Sequence, residues 1–230
     1  LLITLQSVSD SLLASQTYTE VEHIIVDGLS TDGSQKIIEQ YCGRATYATK
    51  WVSELDGGIY DAMNKGSHLA TGEFIQFLNA GDNLIPNNFE KVLNSLNEID
   101  KNTDVICFGY TMSAGHQDHK KIFPLRKVSA TFLRMPTSHQ AIFYRKSIFD
   151  DIEYDTNFQI SGDFNHLCQL VKAKKNFESR KILAINFAIG GISSTLKKTL
   201  FAESALSILR YNSFMLIPVR LIILAIRIFP

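Results

Sequence analysis

Three aspartates occupy positions from which side chains can do chemistry. Asp27 closes the apolar run Val21–Val26, Asp82 follows the run Glu73–Leu78 in Asn79-Ala-Gly-Asp82, and Asp163 opens a helical pattern in Ser161-Gly-Asp-Phe164. In open α/β sheets, ligands bind at the carboxyl ends of strands. An ionised carboxylate there is an acceptor-only group that can receive hydrogen bonds, hold a hard cation or take a proton. Each aspartate alone has a plainer explanation, because Asp favours turns and helix caps. Their joint placement points to a site. His116 and His119 superficially resemble a metal pair, but that spacing is meaningful only on a helix, and Gly115 in a polar stretch argues against one. Cys42, Cys107 and Cys168 are odd in number and far apart, which argues against a disulfide framework or a zinc site and fits a reducing compartment.

The elements that must position these groups alternate between strand-like and helix-like patterns, as in an α/β sheet flanked by helices. Strands are expected at Val21–Val26, Glu73–Leu78, Asp104–Tyr110, His139–Tyr144 and Ile182–Phe187. Helices are expected around Ile37–Tyr41, from Ile59 to Ala70, from Pro86 to Leu96, and around Phe164–Val171, each from apolar residues at helical spacing. The stretch from about Met112 to Pro136 is polar and basic, and reads as a hairpin or loop excursion.

The length of 230 residues and 45% hydrophobic content support one full-sized core. Lys+Arg and Asp+Glu are equal at 23 each, so no net field attracts nucleic acid or repels an anionic substrate, and an anion must be bound locally. No secretory signal is visible near Leu1. Phe214–Pro230 is almost wholly apolar, yet it is shorter than the ~20 residues that span a bilayer and carries Pro218, Arg220 and Arg227. Two readings stay open for it: a segment lying in the headgroup plane with its arginines outward, or a buried helix with two snorkelling arginines.

Three segments carry a resemblance. Val26-Asp-Gly-Leu-Ser-Thr-Asp-Gly-Ser34, Ser53-Glu-Leu-Asp-Gly-Gly-Ile-Tyr-Asp-Ala-Met-Asn-Lys-Gly66 and Ala70-Thr-Gly-Glu-Phe-Ile-Gln-Phe-Leu-Asn-Ala-Gly-Asp82 resemble, in order and spacing, successive motifs of the family 2 glycosyltransferases of the GT-A fold. The likeness continues through Ser138–Arg145, Ile160–Phe164 and Gly190–Ser194, so it covers roughly residues 1 to 195. It implies a mixed, mainly parallel sheet flanked by helices, the nucleotide-diphospho-sugar transferase fold. Residues 1–195 then form the catalytic domain, and 196–230 a C-terminal helical segment with possible contact to the inner membrane.

The resemblance also implies roles. Asp27 reads the nucleotide base, with Asp32 mostly a cap. Asp56, Gly58 and Asn64 line the donor's ribose and diphosphate with Asn79, and Lys65 offers a local cation. Asp82 binds a divalent cation, Mn or Mg, that neutralises charge on the departing diphosphate. Here the sequence departs from the commoner family pattern, in which the preceding position is also acidic, because it has Gly81; the diphosphate is expected to supply most other ligands. Asp163 is the general base, and His139 and Gln140 contact acceptor or diphosphate. Gly190-Gly191 with Ser193-Ser194 resembles a loop that closes over the substrates.

Family members begin with a strand that precedes the helix starting here at Leu1, so that central first strand is expected to be missing, weakening fold and donor site alike. The expected function is inverting transfer of a sugar from a nucleoside-diphosphate donor, uridine-linked, to a lipid-linked or growing saccharide in bacterial surface polysaccharide synthesis, at the cytoplasmic face of the membrane. Two competitors stand beside it: an impaired sugar-nucleotide-binding protein, in view of Gly81 and the lost strand, and a nucleotidyltransferase of similar fold.

Overall fold

A computed structural model describes residues 1–15, 20–114, 117–123, 135–188 and 196–211. The chain order is α1 (Leu2–Ala14), β1 (Glu22–Asp27), α2 (Ser34–Arg44), β2 (Ala48–Ser53), α3 (Ile59–Leu69), β3 (Phe74–Gln76), β4 (Asn83–Leu84), α4 (Pro86–Asn97), β5 (Val105–Ala114), β6 (Gln117–Phe123), β7 (Ile142–Arg145), α5 (Gly162–Lys172), β8 (Phe177–Ala188) and α6 (Lys197–Tyr211). Two 3-10 turns, His139–Ala141 and Lys146–Asp150, flank β7.

β5 is the centre of the core. Val105, Ile106, Cys107 and Phe108 have no exposed surface, because helices and neighbouring strands cover both faces, and a continuous apolar run is what such a strand requires. Successive side chains point to opposite faces. Val105 and Cys107 join Tyr60, Met63, Tyr144 and Leu167 on one side, while Ile106 and Phe108 join Val8, Leu12, Phe89 and Val92 on the other. Truncating Phe108 to Ala would cost about 3–5 kcal/mol, the usual range for a large buried aromatic.

The strands form a sheet of order β3-β7-β5-β8-β4, with β6 paired to β5, and a separate pair β1-β2. The sheet is mixed, as expected, but less parallel than expected. Among the described pairings β1/β2 and β5/β8 are parallel, and β3/β7, β5/β7, β5/β6 and β4/β8 are antiparallel. The polar excursion after Met112 begins as an antiparallel hairpin of β5 and β6; residues 124–134 lie outside the description. β2 was not foreseen, because Ala48–Ser53 is an edge strand with no buried residue and hence no apolar alternation to read.

β1 and β3 do not pair. A cleft of about 1200 Å³ lies between them, lined by Ile24 and Val26 on one side and by Gln76, Phe77 and Leu78 on the other. Glu22, at the start of β1, ties the two halves together by accepting hydrogen bonds from the N–H and hydroxyl of Thr71 and the N–H of Gly72. Burial works to raise its carboxyl, but these bonds and the Lys50 ammonium at 3.0 Å outweigh it and hold its pKa at about 2. No described helix is long and apolar enough to cross a membrane.

Candidate active site

On the β1–β2 side, parallel register sets Asp27 opposite Ser53. The Ser53 hydroxyl and the Ser30 N–H both donate to Asp27 Oδ2, at 2.7 and 3.1 Å. Burial works to raise this carboxyl, but the bonds from Ser30 and Ser53 outweigh it and hold it below its ordinary value. Asp56 packs directly on the Gly28 backbone, where a Cβ would fall 2.4 Å from its Oδ2, and its Oδ1 accepts from Gly58 N–H at 3.0 Å. Asp27 and Asp56 are thus neighbours across one glycine; Asp27 follows Val26, which lines the cleft, but neither aspartate is itself among the residues lining it. Asp32 accepts from Ser34 N–H, the turn role expected of it.

Two donor-side expectations are corrected. Asn64 is buried on α3 with its amide turned to the Tyr154 backbone, donating to the carbonyl at 2.9 Å and accepting from the N–H at 3.0 Å, and it does not line the cleft. It latches α3 to the segment before α5. Lys65 is taken up by Glu54, Asp61 and the Leu55 carbonyl.

On the other side, α1 holds the turn that carries Asp82. The Thr4 hydroxyl accepts from Gly81 N–H and the Ser7 hydroxyl from Leu84 N–H. Gly81 has φ +109, a left-handed conformation that a side chain rarely adopts, which is a physical reason for a glycine where an acidic residue is commoner. Asp82 is 5% exposed and held from both sides: Oδ2 accepts from Gln140 Nε2 at 2.6 Å and Oδ1 from Ala188 N–H at 2.9 Å. Burial raises its carboxyl, against the opposing pull of Ala188 N–H, His139 and Gln140.

The strand expected from His139 begins only at Ile142. Ala141 N–H closes a turn onto the Ser138 carbonyl, and within that turn two consecutive side chains part. Gln140, 2% exposed at the cleft, donates to Asp82 while its side-chain oxygen accepts from the Ser138 hydroxyl, so its amide is engaged in holding Asp82. His139 goes to the catalytic-base candidate, its Nδ1 lying 3.3 Å from Asp163 Oδ2. Its Nε2 faces Asn79 Nδ2 at 3.3 Å. An amide nitrogen only donates, so this contact is a hydrogen bond in the tautomer that carries the ring proton on Nδ1, the nitrogen beside Asp163.

Asp163 sits in the first turn of α5, where Ser161 is the cap residue, and its Oδ1 accepts from Phe164 N–H. Asp82, Asp163, Asn79 and His139 line one cleft with Val26 of β1. Among the described residues no group of three or more His, Cys, Asp or Glu could hold a metal ion. What the protein offers is one buried carboxylate whose oxygens each accept a single hydrogen bond and keep a lone pair. That fits a cation only if a bound diphosphate supplies further ligands. His116 and Gly190–Ser194 lie outside the described residues. Sequence reasoning missed Ser53 and Tyr60; Tyr60, whose hydroxyl donates to the Ile160 carbonyl at 2.6 Å, stood within a quoted motif without a role.

The model of "Glycosyl transferase family 2" matches residues 2–160. A PGL/p-HBAD biosynthesis glycosyltransferase of Mycobacterium bovis is 29% identical over 188 residues, 80% of this chain and 72% of that protein. The fold resembles S. aureus TarS in complex with UDP-GlcNAc (TM-score 0.65, 17% identity, 91% of this chain and 64% of that one). It also resembles the mannosyltransferase PcManGT from Pyrobaculum calidifontis in complex with GDP-Man and Mn2+ (TM-score 0.64, 11% identity, 90% and 59%). The chain therefore spans less than two thirds of either solved structure, and at these identities the likeness concerns the fold. With the family match extending over more than half of the chain, the protein belongs to glycosyl transferase family 2 and is a glycosyltransferase of the GT-A fold.

Proposed function

We propose that the protein transfers a sugar, with inversion, from a nucleoside-diphosphate donor, uridine-linked, to a lipid-linked or growing saccharide in the synthesis of a cell-surface glycan. The observation that carries this reading is the convergence of Asp82 and Asp163 on one cleft, bridged through His139 and Gln140 from a single turn. Asp27 and Asp56 receive the nucleoside. Asp82 with the diphosphate would hold a divalent cation, Mn or Mg, whose charge stabilises the departing nucleoside diphosphate. Support for the donor class comes from the UDP-GlcNAc and GDP-Man carried by the two structural relatives, and for the glycan from the PGL/p-HBAD biosynthesis relative.

In this mechanism Asp163 takes the proton of the acceptor hydroxyl while that oxygen attacks the anomeric carbon, and the bond to the diphosphate breaks on the opposite face. The His139 ring, with Nδ1 3.3 Å from Asp163 Oδ2, restricts the orientation in which the carboxylate meets the hydroxyl. Asp163 also lies where positive charge develops on the sugar ring. The apolar segment 214–230, outside the described residues, supports a place at the cytoplasmic face of the membrane through Arg220 and Arg227.

The test is a panel of nucleotide sugars assayed for transfer and donor hydrolysis with Mn or Mg. Asp163→Asn should lower kcat about 10²–10⁴-fold, the usual worth of a general base, and leave donor affinity intact. Full turnover in that variant would refute the assignment.

A further inference from the structure

We infer that Glu203, on α6, is a positioning residue for Asp163, which makes α6 a working part of the active site. The inference rests on the reading of Asp163 as the base. Three consecutive backbone N–H groups precede α5, and all three donate to the one carboxylate: Gln159 to Oε1 at 2.8 Å, Ile160 to Oε2 at 2.9 Å and Ser161 to Oε2 at 2.8 Å. The Ser161 hydroxyl, 1% exposed, adds contacts to the Leu200 carbonyl at 3.2 Å and the Ser204 hydroxyl at 3.1 Å on the same helix.

The opposite face of this segment is held by α3. Tyr60 OH donates to the Ile160 carbonyl, and its ring lies so close to Gly162 that a Cβ there would meet ring carbons at 2.7 Å. The peptide leading into α5 is therefore clamped on its N–H side by α6 and on its C=O side by α3. Asp163 leaves this clamp as the second residue of the helix, and its χ angles apart, its place in the cleft is set by the segment just before it. A carboxylate is the side chain that suits three donors, since both of its oxygens only accept. A glutamine would turn an NH2 toward at least one N–H.

Glu203 is 42 residues from Ser161 and lies beyond the stretch matched by the family model. Arg210, one of the other anchors of α6, pairs with Asp155 at 2.9 Å and lies over the Phe158 ring at 6.0 Å, upstream of residues 159–161, and so provides a control for loss of helix docking.

The experiment measures transfer kinetics, donor affinity and thermal unfolding for Glu203→Gln, Glu203→Ala, Arg210→Ala and Asp163→Asn. Displacing the base by about an ångström should lower kcat in both Glu203 variants by up to about 10²-fold, with donor affinity unchanged. Arg210→Ala should lose thermal stability and keep its kcat. Added acetate, able to occupy the space left in Glu203→Ala and accept the freed N–H groups, should restore part of the rate. Should the alanine variant fail to fold, the glutamine variant of the same shape decides the question. Wild-type kcat in Glu203→Gln beside an inactive Asp163→Asn would overturn this inference alone, as would an equal kcat loss in Arg210→Ala. Turnover persisting in Asp163→Asn would overturn the reading of the base itself.

Discussion

On the β1–β2 side, next to the cleft wall formed by Ile24 and Val26, acidic groups are held largely by their neighbours in the chain. Asp27 takes the N–H of Ser30, three residues on; Asp56 takes that of Gly58, two residues on; Asp61 takes that of Gly57, four residues back. Ser53, aligned with Asp27 by strand register, is the one distant contribution. On the opposite wall Asp82 depends on Gln140 and Ala188, 58 and 106 residues away, and His139 links Asn79 to Asp163 across three separate elements. The first wall can form its donor contacts from local turns. The second exists only when the whole sheet is assembled, so damage to packing should reach transfer before it reaches nucleoside binding.

Four changes would break or sharpen this contrast, taken from the largest expected effect downward. His139→Gln removes the nitrogen beside Asp163 while leaving an amide near the Nε2 position, and should cut kcat about 10²-fold through misplacement of the base. His139→Asn, whose amide nitrogen falls near Nδ1, should keep most of the rate; equal losses in the two would show that the ring, not the contact at Nδ1, matters. Gln140→Ala strips a buried carboxylate of one partner and should lower stability to urea by about 2 kcal/mol, the scale of a bond to a charged group, with donor affinity falling in parallel. Unchanged stability would mean that Asp82 is held by Ala188 alone.

Ser53→Ala acts on the other wall and should cost about 1 kcal/mol, because Ser30 still holds the same oxygen of Asp27. Calorimetric donor titration should register that loss while kcat for bound donor stays unchanged.

The smallest effect is a difference of sign. Asp27 is lowered in the folded protein, so its contribution is present above the unfolded carboxylate value of about 3.9 and is lost as pH falls through the folded value. Asp82 is raised, so its contribution is full below about 3.9 and is lost as pH rises through the folded value. Urea midpoints across pH should therefore show Asp27→Asn flattening the acid limb and Asp82→Asn removing a decline above it. The same slope change in both variants would contradict the contrast.

The legibility of the site in the sequence follows the same division. Asp27, Asp32 and Asp56 sit in short motifs whose turn chemistry is written in adjacent residues, and the structure keeps them in such turns. Gln140 and Asn64 were read as ligand contacts because motif position reveals which residue stands near a site, not which way its amide turns; both are buried and paired. β2 escaped notice because an exposed edge strand needs backbone pairing rather than an apolar rhythm. Glu203 could not be found at all, since nothing in Lys197–Tyr211 marks one glutamate as the acceptor for three amides 42 to 44 residues away.

By itself the sequence determined the family, the alternation of strands and helices, and the aspartates at the ends of those elements, because periodicity and turn propensity act over a few residues. The tertiary structure alone decided which distant partners hold Asp82, which histidine nitrogen faces Asp163, and that the last described helix clamps the peptide before Asp163. Hydrogen-bond geometry between distant segments depends on how helices and sheet pack, and no local pattern encodes it.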